Sequence, residues 1–145
     1  PKMSAPQVAR GLITRLHAKL AQNRDKIVLS EERYTKGAKT IVLAFGSVAR
    51  PALAAVEQAR KLGFNVGFFR PITMWPSPDI EILKAAESAD TIIIPEMNLG
   101  QYAGEVAKIF GENGRAIKIV KISEAGSELF TPGQILKRIQ EECKA

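Results

Sequence analysis

Residues Thr40 to Arg50, TIVLAFGSVAR, constrain the fold of this chain more than any other stretch. Apolar residues run from Ile41 to Phe45, and Gly46-Ser47 then stop them and hand the chain to an Ala-rich helical pattern. A continuous apolar run suits a strand buried on both faces, so the segment predicts a strand, a tight turn and a helix, the opening of a βαβ unit. The same punctuation recurs at NVGFFR before PITMWPSP, at TIIIPE before MNLGQY and at IKIVKIS before EAGSELFTP. In an open parallel sheet the carboxyl ends of such strands share one edge, where ligands and partners are met. Function is therefore expected in these four loops.

A chain of 145 residues, 46% of them hydrophobic, is long enough for one domain with its own core. Its single cysteine, Cys143, excludes a disulfide framework, a CxxC redox pair and a thiolate-held iron–sulfur cluster, and it implies a reducing compartment. No apolar run approaches the roughly 20 residues that span a bilayer, and the start lacks a charged-then-apolar signal layout. These features predict a cytoplasmic protein with no membrane partner.

The net charge of +6 resembles a nucleic-acid footprint until it is located. Residues 1–39 hold nine Lys/Arg against three Asp/Glu, whereas residues 40–145 hold twelve of each. The excess sits on one segment, with Arg10, Arg15, Lys19, Arg24 and Lys26, and no aromatic side chains lie among them to stack on bases. A solvated helix face, or one docked on an acidic neighbour, is the expectation, and nucleic acid is not.

Ser4 is placed to cap a helix from about Pro6 to Asn23, in which Val8, Leu12, Leu16 and Leu20 form a narrow stripe. Because the chain opens with Pro1, residues 1–26 are read as a linker helix from a missing upstream domain, and residues 27–145 as the α/β domain. Ile27 to Tyr34 reads as a short strand whose polar Ser30, Glu31, Glu32 and Arg33 suit a sheet edge. The helix after Gly46-Ser47 has Leu53, Val56 and Leu62 as its stripe and stops at Gly63; it starts either with Ser47 as cap or at Pro51, leaving GSVAR extended.

A strand at Asn65 to Arg70 precedes Ser77-Pro78-Asp79, an N-cap, a proline and an acid that suit a short helix with Ile80 and Leu83 inward. Asn98 and Gln101 are spaced as a capping box with Met97 and Tyr102 as its staple, and Thr131 and Gln134 repeat the pattern with Phe130 and Ile135. The helices so opened should bury Tyr102, Val106 and Phe110, and Leu136, Ile139 and Cys143. With a strand at Ala116 to Ile122 between them, the four central strands alternate with helices in a doubly wound α/β fold.

Motifs that hold nucleotides, GxGxxG and GxxxxGK[ST], do not occur, and the lone His17 lies on the basic helix, far from every loop of interest. No metal site and no catalytic residue are assigned. Glu96 and Glu124 both follow strands; they are either paired carboxylates or acids bonded to loop amides or an Arg, the second being the simpler reading. Helix amides after Ser47 and Asn98 face the carboxyl edge, and Arg50 and Arg70 bring guanidinium groups to it. Ser47, Arg50, Arg70, Asn98 and Gln101 are thus the candidates for holding an anion, unless the arginines pair with Glu96 or Glu124 and only hold the loops. Trp75, between Met74 and Pro76, is either an interface anchor or core cover.

Taken together, GSVAR, FRPITMWPSP and IPEMNLGQYAGEV, with KLAQNRDKIV before them and GSELFTPGQIL after, resemble the C-terminal domain of the alpha subunit of 2-oxoacid:ferredoxin oxidoreductases, the 2-oxoglutarate type most nearly. The similarity runs from about Leu16 through Ile139. It implies a transketolase C-terminal-like fold, a three-layer α/β/α domain with a five-stranded mixed sheet of order 1-3-2-4-5 whose first strand is antiparallel. It also implies an enzyme that decarboxylates a 2-oxoacid oxidatively to an acyl-CoA, using thiamine diphosphate with Mg and passing electrons through an iron–sulfur cluster to ferredoxin.

The chain departs from a complete enzyme of that kind. It has no GDG…NN segment for diphosphate and magnesium and no cysteine set for a cluster. The resemblance therefore implies that those groups lie upstream or on a partner subunit, that this fragment binds none of them, and that it organises contacts with the upstream domain and partner subunit, bordering the CoA path at most. The alternative is a free-standing flavodoxin-like module that binds a small anion or a protein partner. A receiver is excluded, because its acidic positions read Gly46-Ser47 and Arg70 here.

Overall fold

The structure is a computed structural model that describes residues 6–124 and 128–143. In chain order it contains α1 (Pro6–Gln22), α2 (Arg24–Ile27), β1 (Ser30–Arg33), β2 (Thr40–Leu43), a 3-10 turn (Gly46–Val48), α3 (Ala49–Lys61), β3 (Val66–Pro71), α4 (Asp79–Ala85), β4 (Thr91–Glu96), α5 (Gln101–Glu112), β5 (Lys118–Ser123) and α6 (Pro132–Cys143). The strands form one sheet in the order β1-β3-β2-β4-β5. β1 is antiparallel to β3, and the other neighbours are parallel. The mixed sheet, its order and its antiparallel edge are those the resemblance implied.

Alternation along the central strands sends residues to two separate cores. Ile41, Leu43, Phe69, Ile92 and Ile94 pack with α4 and α5 on one face, while Val42, Phe68, Ile93 and Val120 pack with α3 and α6 on the other. All four residues of β2 are buried, which is why its sequence is continuously apolar. β1 is largely exposed, which is why it carries Glu31, Glu32 and Arg33. Gly67 lets the chain cross closely at this edge, since a Cβ there would lie 2.8 Å from the Tyr34 carbonyl oxygen and 2.9 Å from the Thr35 Cα.

Several local expectations change. Ile27 closes a helical turn instead of opening a strand, because Val28 N–H bonds back to the Arg24 carbonyl, and pairing with β3 begins only at Ser30. α3 follows directly on the 3-10 turn, so Ser47 is not its cap and GSVAR is not extended; Pro51 falls inside the first turn, where its missing N–H costs nothing. Ala49, Ala52, Ala55, Val56 and Ala59 form the buried face of α3, and Leu62 is exposed. The alanines allow the helix axis to lie close to the sheet and to α6. Pro78, not Ser77, precedes α4, and Ile82 and Ala85 turn inward while Ile80 is exposed.

The capping box at α6 forms as expected. Thr131 N–H donates to Gln134 Oε1 at 2.8 Å and Gln134 N–H to Thr131 Oγ1 at 3.3 Å, with Phe130 and Ile135 buried together. The staple across Met97 and Tyr102 does not, because those side chains go to opposite faces of the sheet. Ser4 lies outside the described residues, as does part of the EAGSELFTP loop. α1 has no buried residue, and Val8 and Leu16 of its stripe are exposed. No helix among the described residues is long and apolar enough to cross a membrane.

Candidate functional site

At the carboxyl edge of the sheet, the helix starts after β4 and after β2 are satisfied differently. β4 ends at Glu96, whose side chain is 1% exposed. Its Oε2 accepts the Tyr102 N–H at 2.8 Å and its Oε1 the Ala103 N–H at 2.9 Å, so one buried carboxylate caps two of the free amides of α5. Asn98 Oδ1 accepts the Gly100 and Gln101 N–H groups at 2.7 and 3.0 Å, and Gly100 closes the turn with φ of 90°. Glu124 is exposed and meets Glu96 only through its backbone N–H. The two acids are therefore not a carboxylate pair, and Glu96 is the loop-amide acceptor of the simpler reading.

Tyr102 lies beside this cap, edge-on to Phe45 at 5.1 Å between ring centroids. Burial pushes its hydroxyl up to about 12. On the same side, Arg24 grips Glu81 through two bonds of 2.8 and 2.9 Å, tying α2 to α4. That hydrogen-bonded pairing holds the Glu81 carboxyl below its usual range and raises Arg24.

Among the described residues, no such internal anion caps the helix start after β2. Ser47 is exposed, with its hydroxyl 3.7 Å from Met97 Sδ, and Arg50 projects from the first turn of α3. Ser47, Arg50 and Arg70 line one cavity of about 590 Å³, together with Glu31, Gly46 and Leu129. Arg70 Nη1 lies 3.7 Å from Glu31 Oε2, so the acid that answers it comes from β1 and is neither Glu96 nor Glu124. Arg50 has no ion-pair partner among the described residues. The sequence candidates thus divide: Ser47, Arg50 and Arg70 meet, whereas Asn98 and Gln101 sit at the other helix start, with the Asn98 oxygen already accepting two amides. Glu31 was missed, since its role depends on the β1–β3 register that sets it opposite Arg70.

Trp75 is 71% exposed, and Met74 and Pro76 flank it on the loop after β3. It is not core cover. Thr73 pins the loop by donating to the Ile27 carbonyl at 2.7 Å and accepting the Leu29 N–H at 3.1 Å. Trp75 and the Ile13, Leu16 and Leu20 side of α1 border an open apolar groove of about 710 Å³.

The implied cofactors do not fit these residues. Both oxygens of the buried acid are taken by amides, and no three His, Cys, Asp or Glu side chains gather among the described residues to hold a magnesium–diphosphate group. Cys143, the one cysteine, lies 3.5 Å from Thr40 Oγ1 and cannot anchor a cluster by itself. No reaction step is assigned to this chain through either group.

Residues 38–135 match the family described as pyruvate:ferredoxin oxidoreductase core domain II. The 2-oxoglutarate synthase subunit KorA of Methanothermobacter marburgensis is 35% identical over 139 residues, covering 96% of this chain and 36% of that protein. The ketoisovalerate oxidoreductase subunit VorB of the same organism is 33% identical over 126 residues, 87% of this chain and 35% of that one. The chain therefore spans about a third of the length of these relatives. A solved 2-oxoglutarate:ferredoxin oxidoreductase from Magnetococcus marinus, with 2-oxoglutarate, coenzyme A and succinyl-CoA bound, superposes with a TM-score of 0.80 and 22% identity over 97% of this chain and 24% of its own. A split-gene transketolase, an inactive beta4 tetramer, gives 0.64 and 17% over 74% of this chain and 39% of its own. These two likenesses are of fold.

Proposed function

The chain belongs to the pyruvate:ferredoxin oxidoreductase core domain II family, and from that footing we propose that it is the C-terminal domain of the alpha subunit of a 2-oxoacid:ferredoxin oxidoreductase of the 2-oxoglutarate type. The whole enzyme converts a 2-oxoacid and CoA to an acyl-CoA, with thiamine diphosphate, Mg and an iron–sulfur cluster held on other domains or on a partner subunit, and ferredoxin as electron acceptor. Residues 27–145 form the domain, and residues 1–26 lead into it from upstream. The observation that carries this reading is the 35% identity to a 2-oxoglutarate synthase subunit across 96% of the chain.

Within that enzyme the domain is non-catalytic. Its buried acid is a helix cap, and the carboxylate beside Arg50 and Arg70 at the carboxyl edge, Glu31, is engaged with Arg70 and Arg33. Its work is to organise contacts. Trp75, Met74 and Pro76 form the anchor of an interface with a neighbouring domain or subunit, on a loop that Thr73 holds rigid. The cavity edge at Ser47, Arg50 and Arg70 borders the CoA path.

The test is a dye-reduction assay with 2-oxoglutarate, CoA, thiamine diphosphate and Mg. The isolated chain is expected to reduce nothing, and the full-length subunit assembled with its partner to show turnover that requires both substrates. Turnover by the isolated chain overturns the non-catalytic role. Full-length enzyme that prefers another 2-oxoacid overturns the 2-oxoglutarate assignment. Trp75→Ala should weaken assembly by about 2 kcal/mol, read by analytical ultracentrifugation.

A further inference from the structure

We propose that the cavity between Arg50 and Arg70 is a binding site for a small organic anion, with a phosphate or carboxylate head and a compact apolar body. This goes beyond the family reading and holds whether or not CoA passes this edge.

The head is defined by charge that the fold leaves unanswered. Among the described residues, Arg50, Arg70 and Glu31 are the ionisable ones lining the larger cavity, two positive charges against one negative. Arg70 shares Glu31 with Arg33, whose Nη2 lies 3.1 Å from Glu31 Oε1, so a single carboxylate serves two guanidinium groups. Arg70 Nη1 meets Glu31 only at 3.7 Å, beyond hydrogen-bond range, and its side chain stays 41% exposed, so the outer face of this guanidinium is open to a further acceptor. Arg50 occupies the positive end of α3, where a cation is disfavoured, and it has no ion-pair partner among the described residues. Two guanidinium groups from different elements bordering one space suit an oxyanion with several acceptor oxygens.

The body is defined by the space next door. Ser47, Arg50, Pro51 and Leu129 also border a second cavity of about 270 Å³, whose other walls are Val48, Ala54, Met97, Phe130 and Pro132. Arg50 is its sole ionisable lining residue among those described, and it borders the cationic chamber and the apolar one together with Ser47, Pro51 and Leu129. Leu129 is 66% exposed, an apolar side chain standing at the mouth of both chambers. A ligand that placed its anionic head between the arginines would reach this apolar wall within a few bonds. Volumes of this order suit small molecules, and the mixture of apolar wall with a few placed charges is usual for their sites.

Calorimetry on the 145-residue chain tests the site with inorganic phosphate, phenyl phosphate and benzoate. Phenyl phosphate should bind about tenfold more tightly than inorganic phosphate, since the ring removes apolar wall from water. Arg50→Ala should weaken both phosphates at least about fivefold, whereas Met97→Ala should weaken phenyl phosphate alone. Glu31→Gln should tighten binding about threefold by releasing Arg70, a gain that a damaged fold would not produce. Benzoate binding above or below phenyl phosphate tells whether the head is carboxylate or phosphate. Equal affinity for phosphate and phenyl phosphate, or no change on Arg50→Ala and Glu31→Gln, overturns the site. Such a result leaves the family reading standing, because that reading is decided by turnover in the assembled enzyme.

Discussion

The loops after β2 and after β4 lie side by side at the same edge of the sheet and begin helices that pack on opposite faces, yet they handle the same electrostatic problem in opposite ways. After β4 the chain supplies its own anion: Glu96 is buried, bonded through both oxygens, and backed by Asn98 and the left-handed Gly100. After β2 it supplies a 3-10 turn, an exposed serine and an arginine. The first end is closed by its own side chains and is structural. The second has no acid from the described residues at its amides and carries Arg50, and such a helix start is where an external anion can enter.

The largest effect should come from emptying the closed end. Glu96→Ala strands two buried amides and is expected to cost about 3 kcal/mol in urea unfolding, with Glu96→Gln, which keeps one acceptor oxygen, costing less. If the two variants lose equally little, α5 does not depend on its cap and the contrast fails. The next effect is read with pH. The Tyr102 hydroxyl is raised above its ordinary value of about 10, so the buried neutral form contributes stability that is complete below pH 10 and is lost as pH rises through about 12. An alkaline melt should show that loss, and Tyr102→Phe should remove it.

Gly100→Ala comes third, at about 1 to 2 kcal/mol, because φ is 90° and the new Cβ would lie 3.1 Å from the Lys121 side chain. Asn98→Ala should follow at about 1 kcal/mol through two lost amide bonds. Arg50→Glu is the smallest and has the opposite sign, a gain of about 0.3 to 1 kcal/mol in thermal unfolding, since it gives α3 the anion that α5 already has. A loss there would mean that Arg50 is held by contacts of its own and that the open end is closed after all.

The contrast between the loops was only half visible in the residues. Apolar runs at Ile41–Phe45 and in TIIIPE announced strands buried on both faces, and the polar residues of SEER announced an edge. The box at Thr131 and Gln134 was legible because both partners lie within one turn of each other. The box at Asn98 and Gln101 was half right: Asn98 accepts the Gln101 N–H as its spacing says, but the next two amides go to Glu96, which comes from the strand, and nothing in its spacing says that the chain folds back over it. Ile80 and Leu62 were expected inward on helical period alone, and the sheet instead selected Ile82 and the alanines of α3.

The sequence by itself determined the alternation of strands and helices, the polar edge strand, the neutral domain with its basic N-terminal segment, and the motifs by which the family is resembled. These are properties of residues close together along the chain, where side-chain period and turn chemistry act within a few bonds. Tertiary structure alone decided that Glu96 is a cap, that Glu31 from β1 answers Arg70, that Arg50 and Arg70 border one cavity, and that Trp75 faces outward beside α1. Each of these joins groups from different elements, and their meeting depends on strand order, register and helix placement. Those are set by the packing of the two cores as a whole, so no local stretch of sequence carries them.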